Sequence, residues 1–207
     1  MQKETIRRWI NEKYLNPKEA AKIRKRFEKS MPFANFMLPD FFRREGILKL
    51  RRELLRENFT AVDKDLFSFR HTKDLRYSKC EVINEFCSLF SSPGFIALMK
   101  SLTGKKLSGK IDMQSHKLLQ GDYLLMHDDL TGRRSIAYIV YLSSLEVKDG
   151  GRLRLYEAKN PMHPAKFIQP KFNSFACFKV SNKSLHDVEE VKSAKERLTI
   201  GGWFYGN

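Results

Sequence analysis

The sequence predicts one α+β domain in which helices come first and an antiparallel β-sandwich or jelly roll follows. Three observations carry this. The first sixty residues show helix-period apolar spacing with recognisable helix starts. From about residue 107 the texture changes to short apolar or alternating runs of strand length. Turn signals such as Gly121-Asp122, Asp149-Gly150-Gly151, Asn160-Pro161 and Ser181-Asn182 separate those runs. A chain of 207 residues, 42% hydrophobic with 16 Phe, is long and apolar enough to bury a core as a single domain.

The helices are predicted in order. Thr5 to Leu15 is a short amphipathic run. Asn16-Pro17 reads as an N-cap followed by proline at the first helical position, opening a helix through KEAAKIRKRFEK. MPFANFML is extended in character. Pro39-Asp40 then starts another helix, with Asp40 as cap and Phe41, Ile47, Leu48, Leu50, Leu54 and Leu55 as its apolar positions. Residues 78–100 supply one or two more helices, broken at Ser92-Pro93-Gly94. The strands then follow as IDMQSHKLL, YLLMH, SIAYIVYL, RLRLYEA, AKFIQP, SFACFKV, HDVEEV and RLTIGGWFY.

Composition excludes several classes. No apolar stretch approaches the roughly 20 residues that span a bilayer. The charged start, MQKETIRRWINEKYL, lacks the apolar stretch of a signal peptide. Cys80, Cys87 and Cys177 are odd in number and form no C-x-x-C pair, so three reduced thiols are expected. An intracellular location is therefore expected, with no membrane partner. The net charge is +15, of which residues 1–60 contribute +8, in runs such as KIRKRFEK and FFRREGILKLRRELLRE. Such runs are either solvated helix faces or a surface for a polyanion such as ribosomal RNA.

The chemistry lies in LLMHDDLTGRRSIAYIVYL, residues 124–142. Aspartates here can serve a hairpin turn and nothing more. If the chain is extended, however, His127 and Asp129 point to one side while Asp128 turns away. An imidazole and a carboxylate facing one space supply two ligands of a 2-His-1-carboxylate iron(II) site, which needs a second histidine. Among His71, His116, His163 and His186, the best placed is His186, in a run expected to form a neighbouring strand. His71 lies among the expected helices, His163 reads as loop, and His116 could face the pocket without a supporting spacing. In KERLTIGGWF, alternation puts Arg197 and Thr199 on one side. A buried arginine calls for an anion, and its planar fork suits a carboxylate.

The chain resembles the Fe(II)/2-oxoglutarate-dependent oxygenases, in particular the prolyl hydroxylase branch that modifies a ribosomal protein. The resemblance runs through PFANFMLPDFF, KDLFSFRHTKDL, GDYLLMHDD, RRSIAYIVYL, GGRLRLY, IQPKFNSFACFKV, LHDVEEV and RLTIGGWF, in order from about residue 32 to 204. It implies a double-stranded β-helix (jelly-roll) core with supporting helices, arranged as a basic helical extension over residues 1–31 and a catalytic domain over 32–207. It implies iron ligation by His127, Asp129 and His186. It also implies 2-oxoglutarate binding by Arg197 with Tyr141 and Thr199, and places Tyr123 and Tyr138 as weaker pocket-lining candidates. The implied co-substrates are 2-oxoglutarate and O2, with ascorbate as an accessory reductant. The implied reaction hydroxylates a proline of a protein or peptide, expected to be ribosomal, and yields succinate and CO2.

Larger members of that family carry a second jelly-roll domain, so the expectation here is the catalytic domain alone. Arg152 and Arg154 stand where the family usually has acidic residues, and Tyr205 stands where it often has histidine. Two other readings compete. A non-catalytic basic jelly-roll adaptor for RNA or protein does not need an intact triad. An oxygenase acting on nucleic acid usually carries a second arginine six residues beyond the 2-oxoglutarate arginine, where this chain has Trp203.

Overall fold

The computed structural model describes residues 2–206. Six α-helices and twelve strands form among these residues, nine of the strands after residue 106 as predicted. The helices are α1 (Gln2–Trp9), α2 (Glu12–Leu15), α3 (Pro17–Lys29), α4 (Arg44–Leu54), α5 (Glu81–Ser91) and α6 (Pro93–Thr103). The early strands are β1 (Asn35–Leu38), β2 (Thr60–Lys64) and β3 (Phe67–His71). The rest are β4 (Leu107–Ile111), β5 (Gln114–Leu118), β6 (Tyr123–His127), β7 (Arg134–Tyr141), β8 (Leu153–Glu157), β9 (Asn160–Ile168), β10 (Ser174–Lys179), β11 (His186–Val188) and β12 (Arg197–Gly206).

All the strand pairs are antiparallel, in the order β1-β10-β7-β12-β5-β3-β6-β11-β8-β9, with β2 on β3 and β4 on β12. The sheet curls until its end strands meet, and Lys166 Nζ of β9 donates to Asn35 Oδ1 of β1 at 2.7 Å. This is the nearly closed barrel of a double-stranded β-helix. No single helix is long and apolar enough to cross a membrane among the described residues.

Period-2 alternation explains the two cores. Ile136, Tyr138 and Val140 of β7, Phe175 and Cys177 of β10, and Leu198, Ile200 and Phe204 of β12 face the helices. Ala137 and Tyr141, with Ala176 and Phe178, face the barrel interior. SIAYIVYL is apolar throughout because both faces of β7 are covered. The helices that cover the outer face include the first three. Trp9, Tyr14, Ile23 and Phe27 belong to the same apolar cluster as α5, α6 and the sheet. Each large side chain so buried stabilises the fold by about 1.5–3 kcal/mol. Asn16 caps α3 as expected, accepting from the amides of Lys18 and Glu19. Ser92 ends α5 and caps α6 through the Phe95 amide. Cys80 stands at the N-cap position of α5, and all three cysteines are free.

Three expectations need correction. The helix expected from Pro39-Asp40 begins only at Arg44, and Asp40 is not its cap. Asp40 instead takes a left-handed conformation, with φ 48°. Phe41 and Phe42 are then both buried, and their amides bond Asn173 O and Asn173 Oδ1. Consecutive residues of a helix point about 100° apart, so a helix here would turn one phenylalanine away from the core. Second, His71 lies on a strand, not among helices. TAVDKDLFSFRH forms the hairpin β2–β3, and β3 is inserted between β5 and β6. His163 likewise lies on β9 and not in a loop, with its side chain exposed.

Candidate metal and oxo-acid site

β6 and β11 pair so that His127 stands directly opposite His186. Their imidazoles lie 4.2 Å apart between ring centres. Asp129 does not reach them by strand alternation, because β6 ends at His127. The chain turns instead through a left-handed Asp129, φ 63°, a conformation in which Asp is among the enriched residues. The turn is fixed by Asp128. Its Oδ1 accepts from the Leu130 amide, and its carbonyl accepts from Ser184 Oγ. Asp128 thus shapes the turn and leaves the cluster to its neighbours.

The three side chains converge. Asp129 Oδ1 lies 3.4 Å from His127 Nε2, and Oδ2 lies 3.4 Å from His186 Nε2. One ligand atom from each falls within 4.8 Å of the others, the spacing of a metal-binding group. Each histidine is oriented through its other nitrogen. His127 Nδ1 contacts Leu125 O at 2.9 Å, and His186 Nδ1 contacts Ser184 O at 2.8 Å. A carbonyl only accepts, so Nδ1 carries a proton in both rings and Nε2 faces the shared space, as a lone pair in the neutral ring and as an N–H toward Asp129 when His127 is protonated.

Charge follows the same plan. Burial raises the Asp129 carboxyl, but the His127 hydrogen bond, the neighbouring imidazoles and the Trp203 indole outweigh it, and the pKa falls below the usual range. Burial and the His127 charge push His186 down to about 4, favouring the neutral ligand form. Burial also lowers His127, yet the hydrogen bond and charge of Asp129 prevail and its pKa rises. Phe178 packs on the His186 ring at 4.5 Å.

Behind this cluster lies a cavity of about 290 Å³. Its walls are largely apolar, with Leu118, Leu153, Phe178 and Val188 among them. Arg197 lines its inner part and is only 3% exposed. Nε donates to Gly151 O at 2.9 Å, and no carboxylate pairs with Arg197 among the described residues. Burial alone lowers its pKa, with the nearby Tyr141 opposing. Gly151, φ 69°, makes this contact feasible, because a side chain there would meet Arg197 Cδ at 3.3 Å in a backbone region that favours glycine.

Tyr141, opposite Thr199 in the β7–β12 register, lies with its ring 5.4 Å from the guanidinium. Its hydroxyl is buried without a hydrogen-bond partner. The phenol oxygen can accept from Arg197, but a guanidinium offers no acceptor for the phenol proton. A buried cation without a counter-ion and a buried O–H without an acceptor fit an anionic oxygen ligand. Thr199 lines the cavity beside them, its Oγ1 3.5 Å from His116 O.

Of the sequence-derived candidates, His127, Asp129, His186, Arg197, Tyr141 and Thr199 are brought together. Tyr123 is not. Its hydroxyl points to Asp65 O at 3.5 Å, outside the cavity. The reason is a bulge: three steps of β6, from His127 to Leu124, face two steps of β11, and this reverses the alternation of side chains. Tyr138 reaches the cavity wall but is core, its hydroxyl held by Asp112 O. Trp203, His116 and Gln114 also line the cavity and were not assigned a role from sequence. Continuing the alternation Arg197, Thr199, Gly201, Trp203 would have found the first; the other two depend on the β5–β12 register.

The profile of the 2OG-Fe(II) oxygenase superfamily matches residues 113–205, the segment holding every residue of the cluster. Prolyl 3-hydroxylase OGFOD1 of the mouse, Mus musculus, is 35% identical over 181 residues, 84% of this chain and 33% of that protein. Prolyl 3-hydroxylase sudestada1 of Drosophila melanogaster is 31% identical over 212 residues, 96% of this chain and 39% of that one. The chain thus spans little more than a third of the length of these curated relatives. Among solved structures, a Pseudomonas putida prolyl-4-hydroxylase superposes with TM-score 0.73 at 16% identity, covering 91% of this chain and 99% of its own. At that identity the likeness speaks for the fold. With the profile match, the relatives and the convergent His-Asp-His cluster together, the chain belongs to the 2OG-Fe(II) oxygenase superfamily.

Proposed function

We propose that this chain is an iron(II)- and 2-oxoglutarate-dependent prolyl hydroxylase, with O2 as second co-substrate, acting on a proline of a ribosomal protein. The observation that carries it is the pairing of two incomplete sites in one cavity. Three ligand atoms lie within 4.8 Å of one another, and Arg197, lining the same cavity with Tyr141 packed against it, has no anion among the described residues.

His127, Asp129 and His186 would hold the metal on one face, leaving the other positions to co-substrates. Bound iron(II) supplies the oxidative decarboxylation of 2-oxoglutarate to succinate and CO2 that is coupled to hydroxylation of the substrate carbon. The protein's own residues orient and enclose. Arg197 takes the carboxylate far from the metal, with Tyr141 donating to the same group. Leu153, Phe178 and Val188 keep water from the inner cavity. The low pKa of Asp129 keeps it ionised as a ligand. No side-chain acid or base is needed at the substrate carbon.

The relatives named prolyl 3-hydroxylases favour oxidation at C3, and one from Ostreococcus tauri is named a prolyl 3,4-dihydroxylase. Incubating the protein with iron(II), 2-oxoglutarate, ascorbate and proline-containing ribosomal peptides, followed by mass spectrometry, tests the reading. A peptide that gains one oxygen at proline supports it. Succinate formation with no peptide modified would move the substrate elsewhere.

Contact with ribosomal RNA is part of the proposal and rests on α3. It presents Lys18, Lys25, Arg26 and Lys29 to solvent without ion pairs among the described residues. Binding to rRNA at low salt that fades steeply as salt rises is expected. No binding at low salt removes this element. An intracellular location follows as a corollary.

A further inference from the structure

We propose that His116 is a further co-substrate-binding residue, hydrogen-bonding the metal-end carboxylate of 2-oxoglutarate while Arg197 holds the other carboxylate. The inference rests on the oxo-acid reading of the cavity and assigns a residue that reading does not use.

Its basis is register. β5 and β12 pair with Arg197 opposite Leu118, Thr199 opposite His116 and Gly201 opposite Gln114. All six line the cavity, so the two strands form one wall with two parallel rows of side chains. Along that wall His116 lies one same-face repeat from the Arg197 position, about 7 Å at strand rise. A five-carbon dicarboxylate bridges about that length.

The cavity places it the same way. His116, Arg197 and the His127, Asp129 and His186 cluster all line it, so the ring faces the space shared by the anion-binding and metal-binding groups.

The ring is also held and left unoccupied. Phe69 meets it edge to face at 5.4 Å. Its Nδ1 edge lies over Gly201, 3.7 Å from where a side chain would begin. Neither ring nitrogen has a hydrogen-bond partner among the described residues, whereas His71, His127 and His186 each bond a carbonyl. Burial and the Arg197 charge push its pKa down to about 4, so the ring is neutral near pH 7 and offers one N–H donor. A packed, uncharged imidazole aimed into a cavity with a free donor suits a carboxylate oxygen.

The test is the dissociation constant for 2-oxoglutarate with manganese(II) in place of iron, in the full chain under nitrogen, with thermal melts of every variant. His116→Phe keeps a ring against Phe69 and removes the donor; affinity is expected to fall about tenfold, the loss of one hydrogen bond to a charged group. His116→Gln restores an N–H donor, and affinity within about threefold of wild type is expected, since most of that bond returns. Arg197→Met reports on the cavity itself. If Arg197→Met loses binding and His116→Phe binds like wild type, the inference is overturned and the oxo-acid reading stands. If His116→Phe and His116→Gln lose affinity equally and both melt early, His116 is structural and the inference is again overturned. If wild type binds no 2-oxoglutarate, the oxo-acid reading fails and takes the inference with it.

Discussion

Replacing Arg197 by methionine should weaken 2-oxoglutarate binding strongly without weakening the fold. The guanidinium is 3% exposed and makes one hydrogen bond, to Gly151 O. An unpaired buried charge costs several kcal/mol, whereas orphaning the Gly151 carbonyl costs about 1–3 kcal/mol. The ligand-free variant should therefore melt at or above wild type. Binding is the reverse. Two charge-assisted hydrogen bonds to a carboxylate are worth about 3–6 kcal/mol, so Kd should rise roughly 10²- to 10⁴-fold.

The assay is thermal melting with manganese(II), with and without 2-oxoglutarate. At 100 times the wild-type Kd, ligand stabilises by about 2.7 kcal/mol, which raises the Tm of a domain this size by about 5–11 °C. The variant should show almost no rise. A variant that keeps the rise, or that melts far below wild type without ligand, refutes the assignment of Arg197 to an anion.

Three further outcomes follow from particular contacts. Gly150→Ala places a side chain 2.1 Å from Glu190 O at φ 70°, so a lower urea midpoint or failure to fold is expected, with at least about 1–2 kcal/mol lost to backbone conformation alone. Arg154 grips Asp187 with two bonds of 2.7 Å, and Tyr156 donates to the same carboxylate. Asp187 is buried and Arg154 is about 30% exposed, so Arg154→Ala should cost about 2–3 kcal/mol by denaturant titration, below the value for a fully buried pair. The hydrogen bond from Lys195, with others from the Glu146 amide and the Ser193 side chain, draws the Asp149 carboxyl down to about 2. That stability is present above the unfolded carboxylate pKa of about 3.9 and is lost as pH falls through about 2. Lys195→Met should therefore narrow the stability difference between pH 6 and pH 2, read by melting at each pH.

The barrel strands were legible because each carries its own alternation, and the cluster was legible because its residues sit at the ends of those strands. The resemblance to a family assigned their roles. Asp129 joins the cluster by another route than the sequence suggests. Alternation pointed it inward, whereas a left-handed turn fixed by Asp128 brings it there. Tyr123 failed for a related reason, since a bulge carries no mark in YLLMH. The β2–β3 hairpin shows alternation in FSFRH, but neighbouring helical patterns masked it. His116 could be read only as able to face the pocket, and Gln114 not at all, because their place depends on which strand lies beside β5 and in what register. Phe41 and Phe42 mark the opposite case, in which tertiary packing overrode a plausible helix start.

The proposed reaction requires His127, Asp129 and His186 to hold an iron that oxidises through 2-oxoglutarate. The most direct measurement is succinate formation under air with iron(II), in wild type and in His186→Ala of matched melting temperature. Succinate that requires iron and disappears in His186→Ala is the predicted result. No succinate from wild type together with no binding of metal or 2-oxoglutarate, or equal succinate from both proteins, would contradict it; the first outcome would favour a non-catalytic adaptor.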